Sequence, residues 1–465
     1  MPSALRIAVV GAGPAGFFLV DKLLAQTDVP VAVDLYERLP TPYGLVRFGV
    51  APDHEKIRNV TRTFDKAAAR PGFRFFGNVD VGRDITLDEL RRHYHAVCFT
   101  TGAQADRRMG IPGEELIGSH SATAFVAWYN GHPEFRDCAF DLSAERAAVV
   151  GVGNVAVDVA RMLARDPEEL AQTDIADYAL EALRASRVRE VFLLGRRGPA
   201  QAAFTAPEVK ELGELAGCDT CASGDEVALD ALSRRAVESA NEPATLRKLE
   251  ILRDLGTRTP TGRARRLTLR FLVSPTEIVG DERGHVRALR LVRNRLAERN
   301  GAIVAEPTGE MEELPVGLVF RSVGYRGVAI GGLPFDERRG IVPNVSGRVV
   351  DPASGAPVPG LYVAGWIKRG PSGVIGTNKP DAAETAATLL ADAAEGRLPE
   401  PGPAPDAVDA LVRERQPDTL SWDDWLRLGA HEIALGATAG RPRCKVVDTS
   451  AALRIARGEG AAATR

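Results

Sequence analysis

Ile7-Ala-Val-Val10 runs directly into Gly11-Ala-Gly13-Pro-Ala-Gly16, and a helix-like stretch from Phe17 to Leu24 follows. This is an apolar strand, a tight glycine turn and a helix start in immediate succession. In such a unit the first glycine permits the turn, the second lets a pyrophosphate approach the backbone, and the third lets helix and strand pack closely. The helix N-terminus then faces the phosphates. The same syntax returns at Ala147-Ala-Val-Val150-Gly151-Val-Gly153-Asn154-Val155-Ala156-Val157-Asp158, with Ala156 in the third glycine position, a replacement the pattern allows.

The two copies end in selectors of opposite charge. The strand Val31 to Tyr36 leads into Glu37, where a carboxylate accepts hydrogen bonds from a ribose with free hydroxyls, as in the adenosine half of FAD or NAD. The strand Val191 to Leu194 leads into Gly195-Arg196-Arg197, and two guanidiniums there favour a 2′-phosphate, hence NADP(H). The gap from Gly151 to Arg196 exceeds the usual spacing of about 20. It calls for an insertion, and Asp166 to Arg187 fits one. Together these features predict an α/β protein with two Rossmann-like dinucleotide-binding domains.

Composition narrows the class. With 465 residues, 45% of them hydrophobic, the chain is globular and too long for one core. A formal charge of −3 argues against nucleic-acid binding. Leu5 to Val10 resembles a signal h-region, but the glycine fingerprint occupies the place of a cleavage site and Asp21-Lys22 closes the run, and no apolar run approaches the ~18 residues of a membrane span. A cytoplasmic location without signal peptide or transmembrane helix is expected. The five cysteines fit a reducing compartment, and no metal site is expected. Only Cys218-Asp-Thr-Cys221 has a suggestive spacing, and it lacks a second pair for zinc.

Strand and helix alternate to Ala96-Val-Cys-Phe-Thr-Thr-Gly102-Ala103, and Arg107 to Pro112 reads as a crossover. Strands are expected at Arg266 to Val273 and Val286 to Val292. Gly317 to Gly324 and Leu361 to Gly365 read as strands returning to the first domain. The resulting domains are 1–105 with 324–465, discontinuous and including a C-terminal tail, for FAD, and 106–323 for NADP(H). Val363 to Asn378 reads as strand and loop before a helix from Asp381 to Ala391. Pro399 to Pro405 reads as a linker or long loop, and Trp422-Asp-Asp-Trp425 starts a helical tail.

Longer strings are more specific than either glycine turn. Pro40-Thr-Pro-Tyr43-Gly44-Leu45-Val46-Arg47-Phe-Gly49-Val-Ala-Pro52-Asp53-His54, Phe73-Arg-Phe-Phe-Gly77-Asn78-Val79, Gly195-Arg196-Arg197-Gly198 and Gly365-Trp366 to Asn378 accompany the fingerprints. On these motifs the chain resembles the adrenodoxin-reductase-type ferredoxin:NADP reductases, especially mycobacterial-like members, over nearly its full length. The resemblance implies an FAD flavoprotein with an architecture like that of the disulfide reductases but without their active-site dithiol. It implies FAD contacts from Gly11, Gly13, Ala15, Gly16, Glu37, Leu45, Val81, Trp366, Gly373, Val374 and Ile375. NADP(H) contacts are implied for Val152, Gly153, Asn154, Val155, Arg196, Arg197, Glu208 and Gly373. His54 and Glu211 match the family's active-site pair near the nicotinamide. Glu55 stands where close relatives carry proline, which affects the loop after His54.

The implied reaction is hydride transfer from NADPH to flavin, then single-electron delivery to a ferredoxin-type iron-sulfur protein or a flavodoxin, reversibly. The protein's part is chiefly orientation and exclusion of water. Candidate docking cations for an acidic partner are Arg234, Arg235, Arg247 and Lys248, with Lys368 and Arg369 beside Trp366. The alternatives are an NADPH-dependent disulfide reductase cycling Cys218 and Cys221, another NADPH-flavin oxidoreductase, or a non-enzymatic redox-sensing module.

Overall fold

A computed structural model describes residues 4–459. They form two compact units, one running to Asp106 and resuming at Gly324, the other spanning Arg107–Val323.

The first unit is built on a seven-stranded sheet in the order Asn344–Val345, Arg348–Val350, Pro357–Val363, Ala96–Phe99, Leu5–Val10, Val31–Glu37, Phe73–Gly77. Leu5–Val10 is parallel to both neighbours, with Val10 opposite Tyr36 on one side and Phe99 on the other. Alternate residues of this strand serve two cores. Ile7 and Val9 pack with Val33, Leu35, Phe17, Phe64 and Leu389, whereas Ala8 and Val10 pack with Tyr36, Phe99, Leu90 and Val412. Burial on both faces explains why Ile7 to Val10 read as an unbroken apolar run. The glycine turn follows at its carboxyl end, where the strand order reverses, the usual ligand position in such sheets.

The C-terminal tail completes the first core. Its helix Trp422–Thr438 opens with a capping box between Ser421 and Asp424. Trp422 packs edge-on to Phe73 and Phe75, with ring centroids 5.7 Å away in each case. Leu420 and Gly77 exchange backbone hydrogen bonds of 2.8 and 2.9 Å, which covers the outer edge of the sheet. The proline-rich stretch before the tail is a fastened loop, since Arg6 Nη1 donates to the Pro403 carbonyl at 2.9 Å. The deepest link is ionic: Glu432, 0% exposed, accepts from Arg47 at 2.9 and 2.5 Å and from Arg443 at 2.8 Å.

The second unit carries a six-stranded, all-parallel sheet in the order Ser119–Ser121, Leu318–Arg321, Arg146–Val150, Glu190–Leu194, Arg265–Arg270, Cys218–Ala222. The expected insertion is present as the helices Pro167–Leu170 and Asp177–Arg184. Two strand readings are corrected and a third is extended. The strand read at Gly317 to Gly324 does not return to the first unit: Leu318–Arg321 lies between Ser119–Ser121 and Arg146–Val150. Arg266 to Val273 is not one strand, because Leu272, at φ 57°, breaks it into Arg265–Arg270 and a new strand Val273–Gly280. Val286 to Val292 continues to Arg299 and turns through Asn300-Gly301 into Ala302–Pro315. The result is a three-stranded antiparallel sheet. Both turn residues have positive φ, 51° and 74°, as a two-residue hairpin requires.

The buried Glu432 cluster yields a stability prediction. Burial alone would raise the Glu432 pKa, but the Arg47 and Arg443 guanidiniums and the Val446 N–H bring it below the ordinary carboxylate value. Its contribution is therefore present above the unfolded-state pKa and lost as pH falls through the lower folded value. Glu432→Gln leaves Arg47 buried without a counter-charge and should cost ~3–5 kcal/mol, with weaker acid sensitivity than the wild type. Thermal melts of both proteins at neutral and mildly acidic pH check this, and an unchanged melting temperature at neutral pH would refute it.

Candidate nucleotide sites and family membership

In the first unit the turn is shaped by close contacts. Gly11 adopts φ 107°, and a Cβ there would lie 2.9 Å from the Thr100 carbonyl oxygen. A Cβ on Gly16 would lie 2.2 Å from the Gly11 oxygen. Gly13 differs: it precedes the helix Pro14–Ala25, and a Cβ there would meet nothing within 4 Å. Open space beside free helix-start N–H groups is the cradle a pyrophosphate needs. Thr100, which the sequence reading missed, braces the turn by donating from Oγ1 to the Gly11 carbonyl at 2.7 Å.

Some of the other predicted residues of this unit lie against the turn. Glu37 accepts from Ala12 N at 3.0 Å and from Leu39 N at 3.1 Å. Burial raises its pKa, against the opposing effect of those N–H groups. The Gly44-Leu45 bend is pressed on the turn, since a Cβ on Gly44 would lie 3.1 Å from the Gly13 Cα. Gly365, just before Trp366, faces Ala15, where a Cβ would come within 2.6 Å of the alanine methyl. Trp366 Nε1 donates to the Ser372 carbonyl at 3.1 Å, which ties the indole to the Gly373-Val374-Ile375 loop. Val81 has its side chain in the core with Ile85 and Leu87. His54 precedes the short helix Glu55–Arg58 and donates from its backbone N to Ala51 O at 3.0 Å.

The second unit repeats the design. Gly151 has φ 132°, and a Cβ there would lie 2.1 Å from the Ser322 oxygen; a Cβ on Gly153 would again meet nothing within 4 Å. Gly153 precedes the helix Asn154–Ala164. The Val152 carbonyl accepts from Ala203 N at 2.8 Å and Phe204 N at 3.0 Å, and Asn154 Oδ1 accepts from Thr205 N at 3.0 Å. Val155 follows in the first turn of the helix, with Ala156 fully buried behind it. Gly195 abuts the turn, since a Cβ there would lie 2.9 Å from Val152 Cγ1.

Arg196 is exposed and Arg197 half-buried, and neither guanidinium has a hydrogen bond or ion pair among the described residues. Burial and the adjacent Arg196 lower the Arg197 pKa. Two like charges left together without a counter-ion suit a dianionic ligand group. Glu208 and Glu211 share an anchor that the sequence reading missed. Arg161, fully buried on the helix after the glycine turn, reaches Glu208 at 3.4 Å, Glu211 at 3.8 Å and Asp158 at 2.8 Å. Its only sequence signal is a charge on the apolar face of that helix.

Several cations read as docking candidates are engaged. Lys248, 7% exposed, donates to the Ala202 carbonyl at 2.5 Å. Lys368, also 7% exposed, pairs with Asp381 at 3.1 Å and Glu384 at 2.5 Å. Arg369 bonds Thr377 and Asn378, and Arg247 pairs with Glu250 at 2.8 Å. Arg234 and Arg235 remain exposed on the helix Ala231–Ala240. Cys218 and Cys221 lie three apart on one strand and so project from opposite faces. Burial pushes the Cys218 thiol up to about 11. No helix among the described residues is long and apolar enough to cross a membrane.

No family model matches the chain, but individual proteins do. The NADPH-ferredoxin reductase FprA of Mycobacterium tuberculosis is 47% identical over 462 residues, covering 97% of this chain and 99% of its own. The human mitochondrial NADPH:adrenodoxin oxidoreductase is 44% identical over 459 residues, covering 97% and 91%. The solved structure of M. tuberculosis FprA in complex with NADPH superposes with a TM-score of 0.92, covering 98% of this chain and all of that one.

The open cradles give a direct test. Gly13 and Gly153 have extended backbones that a side-chain-bearing residue adopts, so Gly13→Val and Gly153→Val should fold. Gly153→Val should retain its flavin yet bind NADP(H) roughly tenfold to a hundredfold more weakly, and Gly13→Val should purify with little flavin. Flavin absorbance and NADP+ titration report this, and normal cofactor binding by both variants would remove the cradles from the site. With 47% identity to FprA along nearly the whole length of both chains, this chain belongs to the adrenodoxin-reductase-type ferredoxin:NADP reductases.

Proposed function

We propose that this protein passes electrons from NADPH through FAD to a ferredoxin-type iron-sulfur protein. The observation that carries the proposal is the pair of opposite charges, Glu37 beside one glycine turn and, beside the other, Arg196 and Arg197, whose guanidiniums have no bonded partner among the described residues, in a chain of this family. Kinship with named NADPH-ferredoxin and NADPH:adrenodoxin oxidoreductases supports the acceptor class.

The residues fit their ligands by chemistry. In our reading the unit ending at Asp106 and resuming at Gly324 holds FAD, and Arg107–Val323 holds NADP(H). Glu37 receives the adenosine ribose. The helix-start N–H groups after Gly13 and Gly153 receive the two pyrophosphates. Arg196 and Arg197 receive the 2′-phosphate, with charge-assisted hydrogen bonds worth ~1.5–3 kcal/mol each. His54 and Glu211 position the nicotinamide, as their match to the family's string supports, and Arg161 orients Glu211 and Glu208 from behind. Bound flavin accepts a hydride and releases electrons singly, which couples a two-electron donor to a one-electron carrier. Exposed Arg234 and Arg235 are the cations we assign to an acidic partner. Five free cysteines support a reducing, cytoplasmic location.

The disulfide-reductase alternative needs two neighbouring thiols, and the opposite faces of Cys218 and Cys221 disfavour it. Anaerobic stopped-flow mixing with NADPH, then oxidised ferredoxin, tests the proposal. Flavin should bleach faster with NADPH than with NADH and recover as ferredoxin is reduced. Arg196→Ala with Arg197→Ala should lower the NADPH preference by roughly a hundredfold. A double variant that still prefers NADPH would overturn the selector assignment, and bleaching without transfer to any ferredoxin or flavodoxin would overturn the acceptor.

A further inference from the structure

The segment bearing Arg196 and Arg197 belongs to no helix or strand, and the antiparallel sheet holds it. Gly195 N donates to Arg270 O at 2.8 Å. The next carbonyls are then taken in turn: Gly195 O accepts from Val273 N at 3.1 Å, Arg196 O from Asn294 Nδ2 at 2.9 Å, and Arg197 O from Leu272 N at 3.2 Å. Asn294 supplies the one side chain in this set. It is 7% exposed, and its amide also donates to Ser274 Oγ at 2.8 Å.

The strand around Asn294 is held on both sides. The pairing of Val286–Arg299 with Ala302–Pro315 shifts register there: Val292 faces Met311 and Asn294 faces Pro307, so Thr308, Gly309 and Glu310 stand opposite Arg293 alone. The Arg293 carbonyl accepts from Thr308 Oγ1 at 3.0 Å, and its guanidinium pairs at 3.0 Å with buried Glu226. Glu226 also holds Arg270 and accepts from Phe271 N at 2.8 Å. Asn294 N donates to the carbonyl of Leu272 at 2.7 Å, fixing a branched residue in the left-handed region.

We infer that Asn294 is a positioning residue for nucleotide choice: it fixes the backbone from which Arg196 and Arg197 reach a 2′-phosphate. The inference rests on the selector reading of those arginines. Because their guanidiniums have no bonding partner among the described residues, the held turn is what determines where the charges stand. A 2′-hydroxyl makes no comparable demand on that turn. Loss of Asn294 therefore acts on one nucleotide and not the other.

The test uses the FAD-loaded enzyme carrying Asn294→Ala or Asn294→Leu, the latter keeping the branched heavy-atom skeleton without the amide, so that either folded variant decides. With ferricyanide as acceptor, KM for NADPH should rise about tenfold, while KM for NADH and both kcat values should change less than about twofold. Calorimetry should show about tenfold weaker binding of 2′-AMP and unaltered binding of 5′-AMP. Equal losses for NADPH and NADH would make Asn294 merely structural and overturn the inference, as would an unchanged preference. Arg196→Ala with Arg197→Ala, run in parallel, separates the two claims. If the arginine variant loses the preference and the Asn294 variants keep it, only the inference fails; if the arginine variant also keeps it, the selector reading fails with it.

Discussion

Close backbone approach at the glycine turn organises each unit. At Gly16, in the first helix, a single methyl would lie 2.2 Å from the Gly11 carbonyl; in the second unit the tight contact joins two strand ends, where a Cβ on Gly151 would lie 2.1 Å from the Ser322 oxygen. These distances leave no slack. The helix therefore begins at a fixed place over the sheet, with its unpaired N–H groups directed to the open side of Gly13 or Gly153. Thr100, Gly44 and Gly365 close on the first turn, and Gly195 with Ala203 and Phe204 on the second. The rest of each parallel sheet holds these contacts in register.

Much of this was legible because the constraint acts on residue identity. A turn that admits no Cβ demands glycine, a strand buried on both faces demands unbroken apolar residues, and a selector demands a charge of definite sign. The antiparallel sheet escaped because its strands are arginine- and glutamate-rich, with no clean alternation to mark them. Asn300-Gly301 was the available signal, a hairpin dipeptide standing between two stretches of strand. The strand at Leu318–Arg321 was misplaced for a different reason. Its apolar run fits either parallel sheet, and pairing with Arg146–Val150 depends on the whole topology.

Charge was harder to read than hydrophobicity. An arginine that holds the fold and one that awaits a ligand are the same letter in a sequence. The structure separates them by whether the charge is already answered. Arg161, Arg47 and Arg270 lie against carboxylates in protected surroundings, as do Lys368 and Arg348. A cation so engaged gives little to an incoming anion, because the new contact must break an old one. Arg196 and Arg197 are the opposite case. Among the described residues neither guanidinium has a bonded partner, so the two like charges repel each other, a cost that the proposed 2′-phosphate would relieve.

The same logic explains why the tail reaches so far back in the chain. Tyr43 at φ 85° and Gly44 at φ 49° bend the backbone into a sparsely populated region beside the first glycine turn. A non-glycine residue stays there only if its surroundings leave it no alternative. Tyr43 N donates to Ala12 O at 2.7 Å, its hydroxyl bonds Asp65, and Trp425 of the tail donates to that hydroxyl at 3.3 Å. Two helical turns of tail later, Glu432 grips Arg47 while Lys445 reaches the Arg47 carbonyl at 3.3 Å. The bend is thus over-determined by five partners, and three of them, Trp425, Glu432 and Lys445, lie beyond position 420. A tail that looks dispensable by its distance from the glycine turn is, through Tyr43 and Arg47, part of what keeps the backbone over that turn in place.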